Sequence, residues 1–268
     1  MPWRGWPSMA KWRCRQKRTD VRRHSWLALL LLLLGLTSCF ARADPLARIQ
    51  EAGLLRVALD PSFPPFEFVD ETNQSSGLDV DLARALAEQL GVEAHFVTTT
   101  YDGLYDALIV GRADVIISAL YPDPTRTRDF VFSTPYFNAG EMLVAPSDAG
   151  IAGPADLAGR RVAVVFGADG HMAALEWEAT LAIYQSAAEA LAALAAGEVE
   201  AAVVDGVTAR AAAKSAPLFT LLVTDEPYVI AARREDAALI DRFDAILDTL
   251  RGDGTLEALL DRWIVSEP

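Results

Sequence analysis

Cysteine is nearly absent from this 268-residue chain, and its two cysteines, Cys14 and Cys39, both lie near the amino terminus. The chain from Asp44 onward therefore contains no thiol and cannot form an internal disulfide. A cysteine nucleophile and a zinc site with cysteine ligands are excluded from the same region. Stability must come from an apolar core, for which about 225 residues are ample in one large or two small domains.

Basic side chains are also scarce once the first segment is set aside. Nine of the 24 lysines and arginines but only one of the 37 acidic residues precede Asp44, so the remainder carries 15 basic and 36 acidic residues, a formal net charge of −21. Such a charge makes nucleic acid a poor candidate partner. Solubility alone is the favoured explanation of such a charge, and long-range attraction of cations is the alternative.

Metal and phosphate motifs are lacking as well. The three histidines are scattered, and no spacing brings metal ligands together, so we expect no metal site. The run Gly167-Ala168-Asp169-Gly170 lacks both the lysine and the length of a phosphate loop. We therefore expect no cofactor.

The chain has one long apolar run, from Trp26 to Leu36, and basic residues fill the segment before it. This is the pattern of a secretory signal sequence, and the run is too short for the roughly 20 apolar residues that span a bilayer. A buried core helix is the alternative, but no polar face interrupts the leucines. Residues 1–43 are thus predicted to be a signal peptide region, and the absence of a later apolar run predicts no C-terminal membrane anchor.

Two processing signals overlap at the end of this region. Leu36-Thr37-Ser38-Cys39 resembles a bacterial lipobox, whose cysteine would be acylated and become the new amino terminus. Ala41-Arg42-Ala43 is typical of an ordinary signal peptidase site. Either signal predicts export, and we favour lipidation at Cys39.

From Leu54 the chain alternates short apolar runs with amphipathic helical patterns, twice over. The first passage predicts a βαβαβ unit from LLRVAL, LDVDLARALAEQLG, EAHFV, YDGLYDALIVGR and DVIIS. The second predicts strands and helices from EMLVAP, RVAVVF, GHMAALEWEA, LAIYQ, SAAEALAALAAG and VEAAVVD. The strand YVIAAR and two helical patterns follow. These patterns predict two α/β lobes, each a mostly parallel sheet flanked by helices.

Four stretches resemble the extracellular solute-binding proteins of amino-acid uptake ABC transporters, the periplasmic-binding-protein family for polar amino acids. They are LRVALDPSFPPFEFVD, SGLDVDLARALAEQLG, SALYPDPTRTRDFVFSTPYF and DGTLEALLDRW. Each motif alone is weak, but the four follow one another at the family's spacing. The resemblance implies a monomer that closes on one small amino acid and delivers it to a membrane permease.

The resemblance also implies how the lobes divide the chain. Lobe 1 would be 44–143 plus 232–268, and lobe 2 would be 144–231. Two hinge strands near 141–144 and 229–232 would join them. The ligand would lie between the lobes, which agrees with the rule that ligands of open α/β sheets bind at the carboxyl ends of strands.

Arg126 occupies the position at which the family's arginine grips the ligand α-carboxylate, within Asp123-Pro124-Thr125-Arg126. A guanidinium suits this task because its planar donors match a carboxylate and stay protonated. A surface or structural ion pair is the alternative for Arg126, and we expect that ordinary role for Arg128. Asp205 matches the family's aspartate for the ligand ammonium, with capping of the next helix as its competing role.

Aromatic side chains are implied to form the walls of the site. Phe63 and Tyr101 match positions that sandwich the ligand side chain, although either could be simple core. Phe66 and Tyr136 are expected in the core. The remaining positions implied to bind the ligand are Asp60, Ser118, Leu120, Tyr121, Gly167 and Asp169.

Two departures from the family pattern bear on the ligand. Asp123 replaces a threonine, and Asp169 replaces the second threonine of a Gly-Thr-Thr turn that normally donates to the ligand carboxylate. An ionised aspartate cannot donate, and it repels a carboxylate. With Asp60 nearby, three aspartates weakly favour a cationic amino acid such as arginine or lysine, although helix capping by Asp123 and Asp169 explains them nearly as well.

Other classes of function remain open at this point. Relatives of this fold include periplasmic dehydratases, which need an acid or base at the reacting hydroxyl. Only His171, at the start of a helix, is a candidate for that role, so we expect no enzyme. A ligand-sensing module for a membrane partner is equally compatible with the sequence.

Overall fold

The computed structural model describes residues 44–265, so the predicted signal sequence and Cys39 lie outside the described residues. The helices of this part are α1 (Pro45–Ala52), α2 (Leu78–Leu90), α3 (Leu104–Ile109), α4 (Asp169–Ala174), α5 (Ala187–Ala195), α6 (Gly206–Ser215), α7 (Ala237–Gly252) and α8 (Thr255–Leu260). Within residues 44–265, no helix is both long enough and apolar enough to cross a bilayer.

The strands fall into the two halves that the sequence pattern predicts, with short hairpins between them. They are β1 (Leu54–Leu59), β2 (Ser62–Phe63), β3 (Glu67–Val69), β4 (Ser75–Ser76), β5 (Glu93–Thr98), β6 (Val115–Ile116), β7 (Phe130–Phe132), β8 (Phe137–Asn138), β9 (Met142–Pro146), β10 (Arg161–Val165), β11 (Thr180–Tyr184), β12 (Ala201–Val204), β13 (Leu218–Leu222), β14 (Pro227–Tyr228) and β15 (Ala231–Arg233).

The first five-stranded sheet has the order β5-β1-β6-β15-β7. β1 runs parallel to both β5 and β6, as expected for βαβ crossovers. β15 returns late in the chain and pairs antiparallel with β6 and with β7. The sheet is therefore mixed, because its closing strand arrives from the other half of the molecule.

The second five-stranded sheet repeats this scheme with the order β11-β10-β12-β9-β13. β10 is parallel to β11 and β12, whereas β9 is antiparallel to β12 and β13. The prediction of two sheet-based α/β lobes of similar architecture is confirmed. The sheets are mixed and not mostly parallel, since each holds two parallel and two antiparallel pairings.

A short antiparallel ribbon of β8 and β14 connects the two sheets, with Asn138 opposite Pro227 and Phe137 opposite Tyr228. The Asn138 side chain fastens this ribbon, because its oxygen accepts from the amides of Gly140 and Glu226. The segments at which the sequence predicted hinge strands, 141–144 and 229–232, lead into β9 and β15 of the two large sheets.

Each large sheet is buried on both faces, as strands flanked by helices should be. Along β1, Leu55 and Val57 pack into one apolar cluster, whereas Ala58 packs into a second cluster on the opposite face. The expected core residues Phe66 and Tyr136 are confirmed in the larger cluster, at 2% and 3% exposure. This packing fixes the strand ends at which the side chains of the site lie.

The loop after β2 is held against the first turn of α2. The amides of Leu78 and Asp79 donate to the carbonyls of Pro65 and Phe66, at 3.0 and 2.9 Å, so backbone takes the place of a capping side chain. Gly77 permits this approach. Its φ is 125°, and a Cβ there would clash with the Phe66 carbonyl.

Gly77→Ala should therefore destabilise the protein by about 3 kcal/mol or more, because positive φ and a backbone clash add together. Gly111→Ala is the matched control, since Gly111 has a φ of 72° but nothing within 4 Å of the new Cβ. It should cost only about 1 to 2 kcal/mol. Urea denaturation of the two variants measures the difference, and equal losses would contradict the close approach.

Candidate ligand-binding site

A pocket of about 210 Å³ opens at the carboxyl ends of β1 and β6 in the first sheet. Strand ends of this kind are where open α/β sheets bind ligands. Its lining consists of Asp60, Ser62, Phe63, Glu67, Tyr101, Ser118, Ala119, Tyr121 and Tyr228. Five residues predicted from the sequence are thus brought together here: Asp60, Phe63, Tyr101, Ser118 and Tyr121.

Asp60 joins the segments that form this pocket. Its amide donates to Ser118 Oγ at 3.0 Å, which connects the end of β1 to the end of β6. Its carboxylate oxygen Oδ2 accepts from the amide of Tyr101 at 2.8 Å. The aspartate is therefore a structural anchor of the pocket as well as a negative charge in its wall.

The walls of the pocket are aromatic and open to solvent. Phe63, Tyr101 and Tyr121 remain 49%, 47% and 42% exposed, so none of them is simple core. Phe63 stacks on the buried Phe66 with ring centroids 5.6 Å apart, and Tyr121 donates its hydroxyl to Glu226. Rings held in place from behind but uncovered in front present apolar faces to a small ligand.

Glu67 lies in the pocket lining, and the sequence analysis assigned it no role. Only 1% of the residue is exposed, and its Oε1 accepts from Ser118 Oγ at 2.8 Å. The nearby carboxyl group of Asp79, in α2, is fully buried as well. The signal that could have found Glu67 is its position two residues after the second proline of the Pro64-Pro65 loop, but no sequence pattern predicts its burial.

Asp79 in turn fastens two further segments of the chain. Its Oδ2 accepts from the amide of Ala119 at 2.6 Å and from the hydroxyl of Tyr136 at 3.0 Å. Burial, followed by the charge of Asp79, raises the pKa of Glu67 to about 10. Burial also raises the pKa of Asp79 to about 6. Glu67 is therefore a neutral acid at neutral pH.

Arg126 lies outside the pocket lining, on a short 3-10 turn after β6. Its Nε donates to Asp123 Oδ2 at 3.0 Å, and its guanidinium lies 4.3 Å from the centre of the Tyr105 ring. Asp123 itself caps the turn by accepting from the amide of Thr125. Within residues 44–265 the two terminal nitrogens of Arg126 make no hydrogen bond. Arg126 thus forms the ion pair that was the alternative to ligand binding, and its two terminal nitrogens are still free to bind a carboxylate.

Leu120, a predicted ligand-binding position, contributes no side chain to the pocket lining. Its side chain is 1% exposed and packs with the apolar cluster of Tyr105 and Phe130. Its carbonyl accepts from the amide of Val229 at 2.9 Å. A ligand would therefore reach Leu120 through its backbone and not through its side chain.

Gly167, Asp169 and Asp205 lie in the second sheet and its helices, outside the pocket lining. Gly167 has a φ of 78°, and its amide donates to Nδ1 of His171. Asp169 is exposed in the first turn of α4 and makes no side-chain cap. Asp205 caps α6, because its Oδ1 accepts from the amide of Thr208 at 2.8 Å.

Glu141 is a second acidic residue that the sequence analysis assigned only to a hinge. It lies next to Asp205 and Asp169, is 9% exposed, and leaves Oε2 without a hydrogen-bond partner. Burial raises its pKa to about 7, and the negative charges of Asp205, Glu226 and Asp169 add to the rise. This edge of the second sheet is strongly acidic.

The residues that the structure describes contain no cluster of three or more metal-ligating side chains. The site therefore consists of an aromatic pocket with two carboxyl groups, an arginine beside it, and an acidic edge on the second sheet. A small zwitterion has the charges that match this arrangement.

Comparisons with known proteins agree on one family. The model for bacterial extracellular solute-binding proteins, family 3, matches residues 55–266. A probable amino-acid ABC transporter-binding protein of Haemophilus influenzae is 30% identical, covering 84% of this chain and 91% of that protein. The L-arginine-binding protein of Pseudomonas aeruginosa is 31% identical, covering 78% of this chain and 87% of that protein.

Solved structures give the same fold. The L-cystine solute receptor of Neisseria gonorrhoeae in its unliganded open conformation is 25% identical with a TM-score of 0.69, covering 83% of this chain and 97% of that one. An ancestral cyclohexadienyl dehydratase is 29% identical with a TM-score of 0.72 at the same coverage. The curated relatives are binding proteins, so the comparisons point to binding.

The raised pKa of Glu141 predicts a pH-dependent loss of stability. The contribution of protonated Glu141 to the free energy of unfolding is fully present below the unfolded pKa of about 4.5. It is lost as the pH rises through the folded pKa of about 7. Glu141→Gln removes this charge, so at about pH 8 the variant should be more stable than the parent by on the order of 2 kcal/mol, and near pH 4.5 it should be equal.

Urea denaturation across this pH range measures the difference. Glu88→Gln, at an exposed position of α2, is the control and should leave the pH dependence unchanged. A constant difference between Glu141→Gln and the parent at every pH would contradict the buried acidic edge.

Proposed function

This chain belongs to the bacterial extracellular solute-binding proteins of family 3, and we propose that it captures one small amino acid and delivers it to the membrane permease of an ABC transporter. The observation that carries this proposal is the aromatic pocket with Arg126 beside it. Arg126 has two uncommitted guanidinium nitrogens, which match the two oxygens of a carboxylate.

The two large sheets support a division into two lobes that close on the ligand. We propose lobe 1 as 44–143 plus 232–268 and lobe 2 as 144–231. The limits of β9 and β15 move these boundaries by one or two residues. β9 pairs within the second sheet from Met142 onward, and β15 pairs within the first sheet from Ala231. The natural boundary is thus the ribbon of β8 and β14, which is narrow enough to bend.

Opposite charges on the two lobes explain why a zwitterion would close them. Arg126 follows β6 of the first sheet, whereas Asp205 ends β12 of the second. Asp205 uses Oδ1 to cap α6, and its Oδ2 makes no hydrogen bond within the described part of the chain. A ligand whose carboxylate contacts Arg126 and whose ammonium contacts Asp205 binds both lobes, so it stabilises the closed form.

The pocket lining supports a preference for a cationic side chain. It contains the carboxyl groups of Asp60 and Glu67 and the faces of Phe63 and Tyr101, and no arginine, lysine or histidine is part of it. Exposed rings attract cations as well as apolar groups. We therefore propose arginine or lysine as the preferred class of ligand.

Family membership places the protein outside the cytoplasm. We propose that residues 1–43 direct export and that Cys39 carries a lipid, which would hold the binding protein at the outer face of the membrane near its permease. We further propose that the protein acts as a monomer and without a cofactor, because each copy would contain both lobes of one complete site.

The two arginines after β6 test the proposed carboxylate site. Arg126→Ala should weaken binding of L-arginine by about a hundredfold or more, because a desolvated carboxylate loses its partner. Arg128→Ala is the matched control at an exposed position two residues away, and it should change the affinity by about fivefold or less.

Isothermal titration calorimetry of the parent and both variants gives the affinities, and thermal unfolding checks that both variants are folded. Equal affinities for Arg126→Ala and the parent would show that the ligand carboxylate binds elsewhere.

A further inference from the structure

Two buried oxygen atoms near the pocket have no hydrogen-bond partner when both carboxyl groups are ionised. They are Oε2 of Glu67 and Oδ1 of Asp79. The other oxygen of each group is occupied, because Glu67 Oε1 accepts from Ser118 and Asp79 Oδ2 accepts from Ala119 and Tyr136. The two carboxyl groups thus bond to consecutive residues of the segment after β6, and two ionised carboxylates have no proton to donate to each other.

Nothing positively charged neutralises this pair. Within residues 44–265 no arginine, lysine or histidine hydrogen-bonds to either carboxyl group. Two negative charges held by consecutive residues, at 1% and 0% exposure, would be very unfavourable. A single proton removes one charge and supplies the missing donor.

We propose that Glu67 and Asp79 share one proton, and that a cationic ligand side chain entering the pocket exchanges with that proton. This inference rests on the proposed binding of amino acids at the same site. It assigns to Glu67 a role in selecting ligands by charge, and it makes the affinity for cations dependent on pH.

The charges around Glu67 show that it responds to its pocket. Asp60, which lies in the same lining, raises the pKa of Glu67 through its negative charge. Burial raises the pKa of Tyr101 and of Tyr136, and the negative charge of Glu67 adds to both rises, after that of Asp79 in the case of Tyr136. Tyr228 faces the pair from β14. A positive charge in this pocket would therefore lower the pKa of Glu67, whereas the negative charge of Asp60 raises it.

The exchange balances as a simple ionisation. The O–H bond of Glu67 breaks, the electron pair stays on the carboxylate, and the proton passes to the buffer as the cation enters. Asp79 stays ionised throughout and keeps its bonds to Ala119 and Tyr136. No oxidant, metal or second reactant takes part.

Glu67→Gln reproduces the neutral form of Glu67 permanently. The amide oxygen can accept from Ser118 and the amide nitrogen can donate to Asp79, so the local hydrogen bonds are preserved. The variant has no proton to release at this position. The variant therefore tests the proton exchange while the shape of the pocket is kept.

L-arginine and L-citrulline make the matched pair of ligands, because they share the carboxylate and the α-amine and differ in side-chain charge. Calorimetry should show the arginine-to-citrulline affinity ratio rising about tenfold from about pH 7 to about pH 9 in the parent, if the cation lowers the pKa of Glu67 by about two units. In Glu67→Gln the ratio should stay constant. Titrations near pH 9 in two buffers of different ionisation enthalpy should count close to one proton more released per arginine than per citrulline, because the α-amines of the two ligands contribute equally.

Urea denaturation supplies a measurement without ligand. The folded pKa of Glu67 is raised, so the parent should lose stability relative to Glu67→Gln as the pH rises from about 6 to about 9. A parallel pH dependence of the two proteins would overturn the shared proton. Binding of arginine with no excess proton release, or with the same release in Glu67→Gln, would overturn the exchange alone. Failure of both ligands to bind the folded parent would contradict the proposed function and the exchange with it.

Discussion

The buried carboxylate of Asp79 holds together the segments whose ends form the pocket. From the first turn of α2 it accepts from Ala119 after β6 and from Tyr136 before the linking ribbon, and it lies near the carboxyl group of Glu67 in the hairpin. These segments are distant in sequence, so the apolar core alone would leave their relative positions loosely defined. A polar network in which each member has a partner specifies one arrangement, and here it satisfies both carboxyl groups only when one proton is bound.

The two lobes carry opposite charges at the site. The first sheet contributes an arginine whose terminal nitrogens are uncommitted, and the second contributes the acidic edge of Asp205, Glu141 and Asp169. Repulsion among these acids disfavours the ligand-free edge, and an ammonium group would relieve it. In the proposed function, the bound zwitterion balances charges that the protein alone does not balance.

Much of this organisation could be predicted from the sequence. Strand β1, helix α2 with its C-terminal Gly91, and strand β5 match their predicted positions because their periodicity and helix end signals are local properties. Helix α4 is shorter than its pattern. The sheets are mixed because their composition depends on which strand returns to which edge.

Side-chain roles were harder to predict from the sequence. Glu67 and Glu141 are ordinary surface residue types, and only their packing against Asp79 and Asp205 makes them buried acids. Leu120 follows a site-forming strand, yet its side chain points into the core because the chain turns there with Ala119 at a positive φ of 41°. Such features arise from long-range contacts, which no local pattern contains.

The most direct test of the account is whether binding requires both charged ends of an amino acid. Thermal unfolding of the purified protein with a panel of L-amino acids should raise the midpoint for at least one, because a ligand that binds only the native state must stabilise it. The decarboxylated and the des-amino forms of that same amino acid should each give a much smaller rise at equal concentration. No rise with any L-amino acid, or an equal rise with the decarboxylated form, would contradict the account.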